Sequence, residues 1–218
     1  MRKIPTLFVR NYDGDRLVRN EVTPEAAWVL AGEGIATAKM DGSCCLVKGG
    51  KLFKRHEVKN AAIVGGVMQR CPPPGFVLEE LDRTTQKAFG WLPVGDGPED
   101  RWHREALANY VEVYKEQPKD WTYELCGPKV QGNPEGFPVH MLIPHGYVEH
   151  GCPFYFAAPR TYEGLKALFA DPESDVEGLV WWRDPANLDC DKVKVKAKDF
   201  GIKRHPRPAP DNKGVQET

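Results

Sequence analysis

Short apolar blocks alternate along this chain with breaks rich in Gly, Pro and Asp. IATAK (35–39) and SCCLV (43–47) read as strands. KLFKR (51–55) returns after Gly49-Gly50, which predicts a hairpin. GFVLEEL (75–81), WTYELCG (121–127), VHMLI (139–143), FYFAA (154–158), GLVWW (178–182) and DKVKVK (191–196) alternate or run apolar like further strands. Three helices are predicted between them. TPEAAWVLAGEG (23–34) offers Thr23 as a cap, Pro24 for the first turn, Glu25 to complement the dipole, and Gly32 or Gly34 as a stop. RWHREALANYVEVYKEQ (101–117) repeats Trp102, Ala106, Tyr110 and Tyr114 at helical spacing, and TYEGLKALFA (161–170) is a capped helix between strands. The expected fold class is α+β, with largely antiparallel sheets carrying helices on their faces.

At 218 residues the chain is long enough for one domain with a real core. We expect that domain over 1–202. The tail KRHPRPAPDNKGVQET (203–218) is proline-rich, basic and without large apolar residues, and is expected to be disordered. The net charge of −1 sets up no global field for a nucleic acid, but basic residues are clustered. Lys51, Lys54, Arg55 and Lys59 form an early group; Lys192, Lys194, Lys196, Lys198, Lys203, Arg204 and Arg207 form a late one. Local patches on a neutral chain suit phosphates held in a groove. No apolar run is long enough to span a bilayer, and MRKIPTLFVRNYDG lacks a secretory core, so a cytoplasmic location is expected. Six cysteines (44, 45, 71, 126, 152, 190) show no C-x-x-C spacing. They read as reduced and mostly buried, and His150 with Cys152 is a weak metal pair.

Four features bear on chemistry. Lys39 ends a small-residue strand, just before the Asp41-Gly42 turn. Alone this is an ordinary turn with a lysine on its shoulder, or an amine prepared for reaction. Lys192, Lys194 and Lys196 alternate, so their amines share one side of a strand while Val193 and Val195 face a core. Such like charges suit either an edge strand that deters aggregation or a bound anion. Glu124 stands in an otherwise apolar strand, and Arg55 lies on the strand returning after Lys39.

Together these residues resemble the covalent nucleotidyltransferases, the ATP-dependent DNA and RNA ligases and the mRNA capping guanylyltransferases. Motif I, K-x-D-G, is matched by Lys39, Met40, Asp41 and Gly42; a basic motif Ia by Arg55; motif III by Tyr123-Glu124; motif IV, E-G-x-V, by Glu177 to Val180; and motif V, K-x-K, by Lys194 and Lys196. The pairs Lys192/Lys194 and Lys196/Lys198 also fit motif V. KMDGSCC looks like the K-x-D-G-T-C-C of a small ATP-dependent RNA ligase family, as does HMLIPHG (140–146). Only 22 residues follow Lys196, too few for the OB-fold domain that DNA ligases and capping enzymes carry there.

The resemblance implies an adenylation domain with antiparallel sheets flanking a nucleotide cleft and no OB-fold. It implies an RNA ligase that joins 3′-hydroxyl and 5′-phosphate RNA ends through lysyl-AMP. Lys39 is the implied nucleophile, with Lys194 and Lys196 catalytic beside it. Lys39, Arg55, Glu124, Glu177, Lys194 and Lys196 bind the nucleotide, Glu177 holds Mg²⁺ (or Mn²⁺), and ATP is the source of AMP. Asp41 positions the turn. Burial and the neighbouring cations are expected to lower the Lys39 pKa so that its amine can attack. A DNA-directed or capping-type nucleotidyltransferase and a non-catalytic nucleic-acid-binding module are the alternatives.

Overall fold

The structure, a computed structural model, describes residues 3–204 other than 62, 65, 66, 69, 147–149, 152, 154 and 156. In chain order its strands and helices are β1 (Phe8–Arg10), β2 (Val18–Val22), α1 (Ala27–Leu30), β3 (Ile35–Lys39), β4 (Ser43–Lys48), β5 (Lys51–Lys59), β6 (Ile63–Val64) and β7 (Val67–Met68). There follow β8 (Val77–Asp82), β9 (Lys87–Pro93), α2 (Arg101–Tyr114), β10 (Trp121–Cys126), β11 (Met141–Pro144), α3 (Tyr162–Ala170), β12 (Gly178–Trp182) and β13 (Lys192–Lys196). Two main sheets are a six-stranded one in the order β11-β10-β4-β5-β9-β8 and a three-stranded one in the order β13-β12-β3, and β1-β2 and β6-β7 form two further two-stranded sheets. Every pairing in the two main sheets is antiparallel. This mixed, mostly antiparallel architecture with few helices is compatible with the α+β class expected.

The predicted hairpin forms. Gly49 and Gly50 take φ +56° and +70°, the left-handed conformation that a tight two-residue connection requires of both positions. Side-chain alternation then gives each sheet a dry face and an open one. On the six-stranded sheet Cys45, Val47, Tyr123 and Leu125 pack against Ala106 and Tyr110 of α2. The helix ends where Lys115 turns left-handed, sooner than predicted. On the three-stranded sheet Leu179, Trp181, Val193 and Val195 pack with Leu165 and Phe169 of α3 and with Val29 of α1. The lysines of β13 therefore point to the other side, as their period-two spacing requires. The N-terminal segment covers the outer edge of β13: Leu7 donates to the Lys194 carbonyl at 2.8 Å, and Lys194 donates to that of Pro5 at 3.0 Å.

Several expectations change. The helix predicted over 23–34 is a 3₁₀ turn (Pro24–Ala26) running into the single turn of α1. Thr23 does not cap it, because its hydroxyl donates to the Thr6 carbonyl at 2.8 Å. Strands β1, β2 and β9 were not predicted, and β5 runs four residues beyond 51–55. Of FYFAA, Phe154 and Phe156 lie outside the described residues; neighbouring Pro153 and Tyr155 exchange backbone hydrogen bonds with β3 at 2.7 and 2.9 Å. Residues 205–218 of the tail, including Arg207, and Cys152 of the His150–Cys152 pair also lie outside the described residues. Among the described cysteines Cys45 and Cys126 are buried, Cys44 and Cys190 half-buried, and Cys71 exposed, so burial is less general than expected.

Candidate active site

Gly178 is the pivot of the three-stranded sheet's open face. It pairs with Lys39 on one side and with Lys196 on the other, so the two lysines flank a residue with no side chain. A Cβ there would meet the Val195 carbonyl oxygen at 2.3 Å. Over that gap both amines reach the Glu177 carboxylate, Lys39 Nζ at 2.5 Å from Oε2 and Lys196 Nζ at 3.2 Å from Oε1. The next row is Thr37–Val180–Lys194. The Lys194 amine makes no hydrogen bond or ion pair to the described residues; Lys196 and Lys39 repel its charge, and Asp199 and Glu177 attract it more weakly.

The electrostatics correct one expectation. Burial alone pushes the Lys39 amine down, but the carboxylates of Glu177, Glu124 and Asp41 outweigh it, and Lys39 lies above the ordinary lysine value. Glu177 is the counterpart: burial pushes its carboxyl up, and the Lys39 and Lys196 ammonium groups more than reverse this. The depressed amine is Lys194, lowered to about 8 by burial first and then by Lys196 and Lys39. Lys196 is also lowered, chiefly by burial. Lys194, the amine lowered to about 8, is thus the one of the three that pairs with no carboxylate among the described residues.

The turn after Lys39 is held from two directions. The Gly42 amide donates to Glu124 Oε1 at 3.0 Å, and the Asp41 amide donates to Glu135 Oε1 at 2.8 Å. The six-stranded sheet brings Glu124 there: Glu124, Cys44, Arg55 and Trp91 form one row across β10, β4, β5 and β9 on its open face. Gly42 is required by close approach, since a Cβ would meet the Leu125 carbonyl oxygen at 2.2 Å. Gly42→Ala is therefore expected to destabilise the fold by about 1–3 kcal/mol in urea titration, by overpacking, and to loosen the turn that carries Lys39.

The remaining predicted residues are divided. Arg55 lies on the open face with its guanidinium 3.4 Å from Glu79 and 5.5 Å from the Phe89 and Trp91 ring centres. Its neighbour Lys54 points the other way, to Asp100 beside α2, so the early basic group is not one surface. Of the three possible motif V pairs, only Lys194 and Lys196 lie beside Lys39. Lys192 turns to the Cys190 carbonyl at 3.0 Å and to the Trp182 ring, and Lys198 is exposed.

Arg204 was read from the sequence as part of a basic tail. It instead forms a bidentate pair with buried Glu135, at 2.8 and 2.9 Å, and so braces the Asp41 amide from behind. Arg204→Ala is expected to cost on the order of 3–5 kcal/mol in urea titration, the cost of leaving a buried carboxylate unpaired. An unchanged melting temperature in this variant would show that Arg204 does not brace Glu135. Glu135 and His145 were missed. Glu135 sits in the Gly/Pro-rich run QGNPEGFP, where no periodicity marks a buried side chain; His145 lay within HMLIPHG but was given no role.

A cavity of about 210 Å³ adjoins Lys39, bordered by Met40, Phe137, Ile143, Tyr155 and Val176. A larger one, about 970 Å³, lies against Leu46, Phe53, Trp91 and Thr122 of the six-stranded sheet, with Lys192 on its opposite wall. Among the described residues no helix is long and apolar enough to cross a membrane.

No protein-family model matches the chain. It is 24% identical over 253 residues to RNA ligase 1 of Mus musculus, covering 83% of this chain and 75% of that protein. It is 22% identical over 227 residues to RNA ligase 1 of Danio rerio, covering 77% of this chain and 67% of that protein. These low-identity similarities, spread over most of both chains, support a relationship between this protein and RNA ligases.

Proposed function

We propose that the protein is an ATP-dependent RNA ligase that seals 3′-hydroxyl to 5′-phosphate ends through a lysyl-AMP intermediate on an adenylation-type fold. The observation that carries this reading is the convergence of Lys39 and Lys196 on the Glu177 carboxylate, with the Lys194 amine beside them and in no ion pair with the described residues. A cluster of amines with one member lacking a counter-ion among the described residues is suited to a phosphate. A base held in the mainly apolar cavity next to Lys39, about 210 Å³, would leave its α-phosphate within reach of that amine, which supports this reading.

In the first step Lys39 Nζ attacks the α-phosphorus. An N–P bond forms, the Pα–O bond to pyrophosphate breaks, and the electron pair leaves with pyrophosphate. Lys39 must first lose a proton, and Glu177 currently opposes this by stabilising its ammonium form. Entry of the triphosphate draws Lys194 and Lys196 toward the phosphates and lets the Glu177 contact exchange, which lowers the Lys39 pKa toward attack. Both Glu177 oxygens are occupied by ammonium groups, so a divalent cation fits at Glu177 only once one of them has moved. Bound there, Mg²⁺ or Mn²⁺ would neutralise charge on the leaving pyrophosphate. In the second step an RNA 5′-phosphate oxygen takes the AMP and Lys39 leaves as the amine. In the third step the 3′-hydroxyl attacks the activated 5′-phosphorus and AMP departs. Arg55, exchanging Glu79 for phosphate, is placed to hold the 5′ end.

The test is incubation with ATP or GTP labelled at the α-phosphate, followed by denaturing electrophoresis and by sealing assays on matched RNA and DNA nicks. The expected result is protein-bound label from ATP and sealing of RNA. Absence of covalent label would reject the nucleotidyltransferase reading, label from GTP alone would favour a capping-type enzyme, and equal sealing of DNA would reject the preference for RNA.

A further inference from the structure

The open face of the six-stranded sheet carries a second constellation, of which the adenylation reading uses only Glu124. Cys44 and Glu124 are direct cross-strand partners on β4 and β10. His145 follows β11 and donates its backbone amide to the Thr122 carbonyl at 3.0 Å, which brings its ring to the same side. A thiol sulfur, a carboxylate oxygen and an imidazole nitrogen from these three residues all lie within 4.8 Å of one another. The imidazole is oriented by two contacts, Nε2 to Glu124 Oε2 at 3.0 Å and Nδ1 to Thr122 Oγ1 at 3.1 Å. Thr122 is fully buried.

From this arrangement we propose that Cys44, Glu124 and His145 form a three-ligand site for a thiophilic divalent cation of the Zn²⁺ or Co²⁺ class. One thiolate, one imidazole and one carboxylate suit such an ion, and a tetrahedral centre keeps its fourth position for water or substrate. A thiolate ligand selects against Mg²⁺, so this site is chemically separate from the cation at Glu177. Proton balance is simple. The Cys44 S–H bond breaks on binding and its proton goes to solvent. Nε2 faces a carboxylate oxygen and so carries the imidazole proton before the ion binds; on binding, Nε2 gives that proton up to solvent and Nδ1 takes one, which frees the Nε2 lone pair for the metal and lets Nδ1 donate to Thr122 Oγ1 as the outer hydrogen bond. Glu124 Oε2 turns from the imidazole to the ion, while Oε1 keeps the Gly42 amide. Occupancy thus ties the ion to the turn that follows Lys39.

The site stands independently of the ligase reading, because metal binding is measured without ATP or RNA. Purified full-length protein, stripped of metal, is titrated with Co²⁺ and then with Zn²⁺. We expect the intense visible absorption of tetrahedral Co²⁺ with a thiolate-to-cobalt band, reversed by one equivalent of Zn²⁺ and unaffected by excess Mg²⁺. Cys44→Ser should abolish the thiolate band. His145→Gln should weaken binding, and Thr122→Val should weaken it by about 10–100-fold through the outer hydrogen bond. Cys190→Ser, at a half-buried cysteine elsewhere, should change nothing, and circular dichroism melts establish that each variant is folded. A six-coordinate Co²⁺ spectrum in the wild type, an unchanged thiolate band in Cys44→Ser, or its loss in Cys190→Ser would overturn the assignment. A Co²⁺ site in a protein that takes no label from ATP would leave this inference standing and reject the other.

Discussion

Lys39→Ala is expected to reduce covalent labelling from ATP to background, a fall of roughly 10⁴-fold or more, as for removal of a nucleophile. The variant should remain folded. Glu177 keeps its second partner, Lys196, at 3.2 Å, so no carboxylate is stranded, and the Lys39 side chain is only partly buried to begin with. Sealing of an RNA that already carries AMP on its 5′-phosphate should persist, because the third step uses the 3′-hydroxyl as nucleophile and needs no amine. Lys39→Arg should behave like the alanine variant in labelling, since a guanidinium does not deprotonate under these conditions. Labelling of Lys39→Ala at the wild-type level would remove Lys39 from the nucleophile role. Loss of sealing on pre-adenylated RNA with normal melting would show that Lys39 has a second task in the final step.

Lys194→Met is expected to move activity and stability in opposite directions. Removing the amine without a counter-ion should lower adenylation by about 10²–10³-fold, the usual effect of losing one preorganised group that meets developing charge. The same change should raise the melting temperature of the nucleotide-free protein. In the wild type, burial and the Lys196 and Lys39 ammonium groups lower Lys194 from 10.5 to about 8. Below pH 8 the folded chain therefore carries an unfavourable charge that the unfolded chain carries without penalty. As pH rises through about 8 toward 10.5, the folded state gives up this proton before the unfolded state does, and wild-type stability climbs relative to the variant. The advantage of Lys194→Met is thus full below pH 8 and shrinks above it. It should amount to a few degrees, a chain of this size moving about 2–4 °C per kcal/mol. A variant that melts below the wild type at neutral pH, or that adenylates normally, would show that Lys194 has a counter-ion in solution.

Legibility of this fold and site in the sequence followed from how much each feature depends on local pattern. Lys192, Lys194 and Lys196 could be placed on one side of a strand because alternation is a local property, and that strand forms. The Gly49-Gly50 hairpin was equally legible. Strand β9 was not: KAFGWLP carries a glycine and a proline, and its Gly90 is explained by tertiary neighbours, the Val77 carbonyl oxygen and the Phe76 ring, 2.2 and 2.6 Å from where a Cβ would lie. The full length of β5 was hidden because only Leu52 and Val58 of its nine residues are buried. For the site, the sequence brought Lys39 and Glu177 into one hypothesis but could not say that they form an ion pair. The expected lowering of the Lys39 pKa was therefore reversed, by a carboxylate 138 residues away. Glu135 and Arg204 meet only through tertiary structure, and neither has a local signal.

The pairing of β3 with β12 also bears on the order in which the molecule is assembled. Lys39 and Glu177 lie 138 residues apart, and closing a contact of that span carries an entropic cost before any packing rewards it. During synthesis the β4–β5 hairpin can form as soon as it leaves the ribosome, whereas the Glu177 carboxylate that pairs with Lys39 emerges only just ahead of β12, and the neighbouring amines only with β13. If Lys39 is the nucleophile proposed above, its chemical competence would be among the last properties this chain acquires, and a stalled nascent chain would carry it on an open strand without its Glu177 partner.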